Sequence, residues 1–256
     1  MTEEEKYLFD LQGYLVLENA IDAETVDRMN AWIDMQARND ERWRAQIRNV
    51  QIASPITWGP DFLALLDAPR ALAILKAVLG PSMRLDHDYA IFLSEGGHRG
   101  MELHGPSLIH PYDPIHFYHQ IEGRIFCGLT VASYALTDSP PGSGGLAVVP
   151  GSHKQRFRIP EDIRLLERES PIVQHVPMKK GDCVIFTESL VHGTLPWKGP
   201  GERRTLFFKY GPGGVSWSDH AYFPQKQMEG ARELEPLLSP AQRKLLMPPC
   251  ADDFRR

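Results

Sequence analysis

Residues 128–154 read GLTVASYALTDSPPGSGGLAVVPGSHK, two apolar runs separated by a turn rich in Ser, Pro and Gly. Short apolar runs bounded by Gly and Pro are strand signals. The same texture spreads outward from this block, beginning near Leu85. DYAIFLSEGG (88–97) and RIFCGL (124–129) precede it, and HVPMKKGDCVIFTESLVHG (175–193) and RRTLFFKYG (203–211) follow. No βαβ alternation interrupts these runs, so this part of the chain reads as an all-β sandwich or barrel.

The flanks carry helical patterns. IDAETVDRMNAWIDMQ (21–36) is amphipathic, with acidic residues in its first turn where the helix dipole favours them. DAPRALAILKAVLG (67–80) has apolar residues at helical spacing and stops at Gly80. LFDLQGYLVL (8–17) reads as an opening strand with a turn at Gly13, and IPEDIRLLERES (159–170) as a short helix. In the tail LSPAQRKLLMPP (238–249), Ser239 is placed as an N-cap before Pro240.

Composition narrows the function classes. The 256 residues, 42% hydrophobic and 24% charged, suit one large core. A net charge of -5 with scattered Lys and Arg offers no basic field for nucleic acid. The acidic start MTEEEKYLFD is unlike a secretory signal, and no apolar run reaches the roughly 20 residues of a membrane span. Cys127, Cys183 and Cys250 show no CxxC spacing, which argues against a disulfide framework and for a reduced, cytoplasmic setting. The partner expected is a small-molecule substrate, with neither nucleic acid nor membrane. No motif encodes the oligomeric state.

Five of the ten histidines, His98, His104, His110, His116 and His119, crowd one loop-rich stretch after a strand. Neutral imidazole is the commonest side-chain metal ligand, so the cluster raises a metal site without choosing its members.

The opening FDLQGYLVLENAIDAETV (9–26), the block at 128–154, KKGDCVIFTESLVHGTLPW (179–197) and GERRTLFFKYG (201–211) together resemble the phytanoyl-CoA dioxygenase family over about residues 8–212. The resemblance implies a mainly β fold with flanking helices, a double-stranded β-helix (jelly-roll, cupin-like), as one oxygenase domain over 1–256. It also implies iron(II) held by two His and one carboxylate, with 2-oxoglutarate and O₂ as co-substrates. Such a facial set leaves coordination positions open for the oxoacid and dioxygen.

Carried onto this chain, the resemblance makes His192 the distal metal ligand and Arg203, eleven residues on, the guanidinium that grips 2-oxoglutarate. A planar fork matches a carboxylate bidentately. Thr205 shares the face of Arg203 at period 2 and adds a hydroxyl, whereas Arg204 points the other way, toward the surface. The first ligand falls on His104 in AIFLSEGGHRGMELHGP (90–106), with His110 as the alternative.

At the position where the family carries Asp, this chain has Pro106. Three resolutions follow. Asp113 in HPYDPIHFYH (110–119) serves as a surrogate ligand, with Glu188, on the strand face of His192, as a further candidate. Alternatively the position takes water or halide, as in iron/2-oxoglutarate halogenases, or the site binds metal weakly and is silent. The expected activity is hydroxylation of an unactivated carbon of a small organic substrate; halogenation and catalytically silent small-molecule binding are the alternatives. His153 and Asp138 read as structural residues, Trp197 and Tyr210 equally as core or as substrate wall, and the pair Lys179 and Lys180 as a solvated face.

Overall fold

The computed structural model describes residues 1–39, 51–94, 100–105, 115–155, 157–217 and 231–250. Twelve strands among these residues form three antiparallel sheets. In the larger sheet, β1 (Tyr14–Leu17), β10 (Cys183–Thr187), β7 (Thr130–Ala135), β12 (Glu202–Gly211), β3 (Arg84–Ser94) and β2 (Gln51–Ala53) are neighbours in that order. The smaller sheet runs β4 (Met101–His104), β11 (His192–Leu195), β8 (Gly145–Val148) and β9 (Gln174–His175). β5 (Tyr118–Ile121) and β6 (Arg124–Cys127) pair as a hairpin. The pattern of short strands implies a sandwich or barrel, and the architecture is the jelly-roll that the family resemblance implies.

Alternation along the strands divides the apolar residues into layers. Val131, Ala135, Val184, Phe186 and Phe207 of the larger sheet meet Leu146 and Val148 of the smaller one in the interior. The opposite face of the larger sheet, including Tyr134, Ile185, Leu206 and Phe208, is covered by helices α1 (Glu3–Gln12), α2 (Ala23–Asn39) and α3 (Pro69–Leu79). With both faces covered, every residue of β7 is buried, which is why TVASYA is continuously uncharged. The C-terminal α4 (Pro240–Leu245) begins with the expected cap: Ser239 Oγ accepts from Gln242 N, and the Gln242 side chain accepts from Ser239 N.

Two expectations need correction. Residues before Gly13 do not extend the opening strand; they form α1, started by a reciprocal capping box between Thr2 and Glu5. Apolar Leu8, Phe9 and Leu11 satisfy helical as well as strand spacing, and the Thr2 cap tips the balance. Arg204 does leave the interior, as alternation requires, but it does not reach the surface. It meets Asp34 Oδ1 of α2 at 2.5 Å and Glu202 Oε2 at 2.6 Å. The helical layer lies over the sheet there.

Gly13 turns the chain from α1 into β1 with φ +85°, and its N–H donates to Phe9 O. A Cβ at this position would stand 2.6 Å from His153 Nδ1 and 2.9 Å from Leu190 Cδ1. Gly13→Ala is therefore expected to destabilise the protein by more than about 1 kcal/mol, combining positive-φ strain with a clash. An unchanged urea midpoint would contradict this account of the turn.

His153, Trp197 and Tyr210 are buried structural side chains: His153 Nε2 donates to Asp10 O, Trp197 Nε1 to Gly201 O and Tyr210 OH to Leu66 O. Asp138 Oδ1 accepts from Lys180 N and steadies the turn entering β10. The three cysteines are free. Among the described residues, no helix is long and apolar enough to cross a membrane.

Candidate active site

The smaller sheet delivers two imidazoles to one place. β11 pairs with β4 so that His192 lies directly opposite His104, and the ring centroids are 4.2 Å apart. Glu188 sits on the turn between β10 and β11, where its N–H donates to Leu129 O at 2.9 Å. That turn brings Glu188 Oε1 to 3.7 Å from His192 Nε2. One ligand atom each from His104, Glu188 and His192 lies within 4.8 Å of the others.

The imidazoles are held in a ligating orientation. His192 Nδ1 contacts Leu190 O at 2.7 Å, and His104 Nδ1 contacts Glu102 O at 3.2 Å. A carbonyl oxygen only accepts, so Nδ1 carries the proton in each pair and Nε2 offers its lone pair. Burial, reinforced by the neighbouring His104, pushes the His192 imidazolium down to about 3, so this ring is neutral at physiological pH.

Glu188 is a buried carboxylate set between the Lys209 ammonium and the imidazoles. Burial alone would raise its pKa, but the Lys209 ammonium and the facing imidazoles more than offset that and hold it below the ordinary carboxylate range. Lys209 Nζ pairs with Glu188 Oε1 at 2.8 Å. His116 Nε2 lies 4.0 Å from Oε2. A buried carboxylate, each oxygen of which can accept more than one partner, beside two prepared imidazoles is a fitting third donor for a divalent cation.

The second half of the site lies along β12. Arg203, Thr205, Phe207 and Lys209 alternate inward, opposite Leu93, Ile91, Tyr89 and His87 of β3. Arg203 is 3% exposed, and burial pushes its guanidinium down to about 10. It has no ion-pair partner among the described residues. An unpaired guanidinium is costly to bury, and a bound anion relieves that cost. Gly145, with φ +96°, gives it room: a Cβ there would come within 2.8 Å of Arg203 Nε. Thr205 is 1% exposed on the same face.

Of the residues marked from sequence, His104, His192, Arg203 and Thr205 fall in or beside this interior. Asp113, the surrogate ligand, lies outside the described residues, as do Pro106 and His110. Glu188 was the secondary candidate and proves to be the described carboxylate nearest the imidazoles. Lys209 was missed. Extending the period-2 count from Arg203 by three steps would have reached it.

Two imidazoles and a carboxylate converging inside a double-stranded β-helix, with an unpaired guanidinium on the same lining, define a jelly-roll oxygenase. Residues 9–205 match the family Phytanoyl-CoA dioxygenase (PhyH), and the chain belongs to that family. It is thereby an iron(II)/2-oxoglutarate-dependent dioxygenase in type. The ectoine dioxygenase of Nocardia farcinica (strain IFM 10152) is 24% identical over 232 residues, 79% of this chain and 75% of its own. HygX from Streptomyces hygroscopicus, crystallised with nickel and 2-oxoglutarate, is similar in structure with a TM-score of 0.74 and 24% identity, over 84% of this chain and 89% of that one. The non-heme alpha ketoglutarate dependent carbocyclase SnoK from nogalamycin biosynthesis has a TM-score of 0.59 and 18% identity, over 84% and 85%. At these identities the structural likenesses establish the fold.

Proposed function

We propose that this protein, as one jelly-roll domain, hydroxylates an unactivated carbon of a small organic substrate, with iron(II) held by His104, Glu188 and His192. The convergence of those three donors carries the reading. The unpaired Arg203, with Thr205 beside it, would take the distal carboxylate of 2-oxoglutarate. HygX has been crystallised with iron, with 2-oxoglutarate and with hygromycin B, which supports a small organic molecule as substrate here.

When bound, the metal with 2-oxoglutarate and O₂ supplies the oxidising chemistry, releasing succinate and CO₂. The protein's own part is positional. Leu190 O and Glu102 O fix the two imidazole tautomers. Phe186, buried with its ring centroid 4.8 Å from that of His192, keeps water from the inner side of that imidazole. Arg203 and Thr205 would hold and orient the distal end of the oxoacid. Glu188 supports hydroxylation over halogenation, because an anionic oxygen stands close enough to complete the facial set that a halide would otherwise fill.

Anaerobic addition of iron(II) and 2-oxoglutarate should give a metal-to-oxoacid charge-transfer band, and oxygen should then release succinate. Chloride and bromide should leave the band unmoved. A halide-sensitive band would favour halogenation, and absence of any band would favour a silent small-molecule binder.

A further inference from the structure

The inward face of β12 carries two buried cations, and the proposed function gives a ligand to Arg203 alone. Lys209 lies six residues further along the strand, roughly 20 Å away at the backbone for a rise of about 3.3 Å per residue. Lys209 stands at Glu188, beside the metal donors, with its ammonium 2.8 Å from Glu188 Oε1.

Its setting is built. Opposite Lys209 and Tyr210, β3 accommodates an extra residue, Asp86, and bulges of this kind re-aim side chains beside functional sites. The ammonium sits 5.4 Å from the centroid of the Tyr89 ring, which stacks between Phe207 at 4.9 Å and His87 at 5.8 Å. Asp86 also accepts from Ser216 Oγ at 3.0 Å and Trp217 N at 2.9 Å. Trp217 is thereby held edge-on to His116, with ring centroids 4.8 Å apart, and is 55% exposed. Tyr89 thus borders a cation next to the donors, and Trp217 lies against His116, whose Nε2 is 4.0 Å from Glu188 Oε2.

Charge balance then points outward. Glu188 is the carboxylate that faces Lys209, and the reading of function commits it to the metal. With iron(II), the dianionic oxoacid, Arg203, Glu188 and Lys209 in place, these five groups sum to one positive charge, and Asp86 does not offset it because the buried Arg84 pairs with Asp86 at 3.1 Å. Excess charge in such an interior is unfavourable unless a counter-ion enters. We infer that Lys209 is the substrate-side anchor, and that the substrate presents a carboxylate or similar anion to it, with its hydrocarbon body toward the exposed Trp217 ring. This rests on the proposed function.

The test uses the full chain loaded with nickel(II) and saturating 2-oxoglutarate. Two matched probe sets are titrated, 3-phenylpropionate against its amide and amine, and octanoate against its amide and amine, with binding read by saturation-transfer NMR and tryptophan fluorescence. In at least one set the acid should bind tenfold or more tighter than the amide, and Lys209→Met should erase that preference while Lys209→Arg retains part of it. Equal binding of acid and amide, preference for an amine, no binding of any acid, or an acid preference untouched in a folded Lys209→Met protein would each overturn the inference. The wild-type comparison stands without the variant should Lys209→Met not fold. The metal-to-oxoacid band, recorded in the iron(II) form before any probe is added, reports separately on the proposed function.

Discussion

Loss of 2-oxoglutarate affinity by about 30-fold or more is expected on replacing Arg203 with Met. Removing one partner of a buried charge pair typically costs about 2 to 5 kcal/mol in binding, and each 1.4 kcal/mol is about tenfold. The guanidinium is buried with no ion-pair partner among the described residues, so little protein structure depends on it and the loss falls on the ligand. Arg204→Met makes the contrast. Its guanidinium is engaged by Asp34, Glu202 and Asn30 on the helical side, so its loss should lower thermal stability and leave 2-oxoglutarate affinity within about threefold, below the about 1.4 kcal/mol of a tenfold change. Isothermal titration with 2-oxoglutarate on the metal-loaded forms decides. Comparable weakening in both variants would mean that the inward face of β12 is misassigned.

The metal donors should show the other large effect. His192→Ala and His104→Ala each remove an imidazole whose Nε2 is presented by a backbone carbonyl, and neither should retain stoichiometric iron(II). Glu188→Ala tests the third donor against Asp113→Ala. If Glu188 completes the set, its removal lowers iron content and abolishes the oxoacid band, while Asp113→Ala changes neither. The reverse result would assign the third position to Asp113 and leave Glu188 as the counter-ion of Lys209. If His104→Ala keeps its iron while His110→Ala loses it, the first ligand is His110. Folding is monitored alongside, since Glu188→Ala leaves the Lys209 ammonium buried without its partner.

Much of this molecule is legible in one dimension. Short apolar runs cut by Gly and Pro announce a β core because a strand's side-chain period and its turns are local properties. The helix ends at Gly80 and Ser239 are equally local, since a cap is satisfied within a few residues. Period 2 along RRTLFFKYG already separates the inward Arg203 and Thr205 from the outward Arg204. Its destination was not legible: whether an outward residue meets water or a helix depends on α2, which lies about 170 residues earlier and reaches Arg204 through Asp34.

The site required three dimensions for the same reason. His104 and His192 are 88 positions apart, and only the pairing of β4 with β11 sets them face to face. Glu188 looked secondary because a strand-face count ignores the turn that swings it toward both imidazoles. Lys209 looked like an ordinary cation near a strand end until the β3 bulge and the Glu188 turn were seen to meet there. Sequence periodicity determines which face a side chain takes, because that follows from backbone geometry. What waits on that face is decided by contacts between segments distant in the chain, and the carboxylate and cation beside the donors are of that kind.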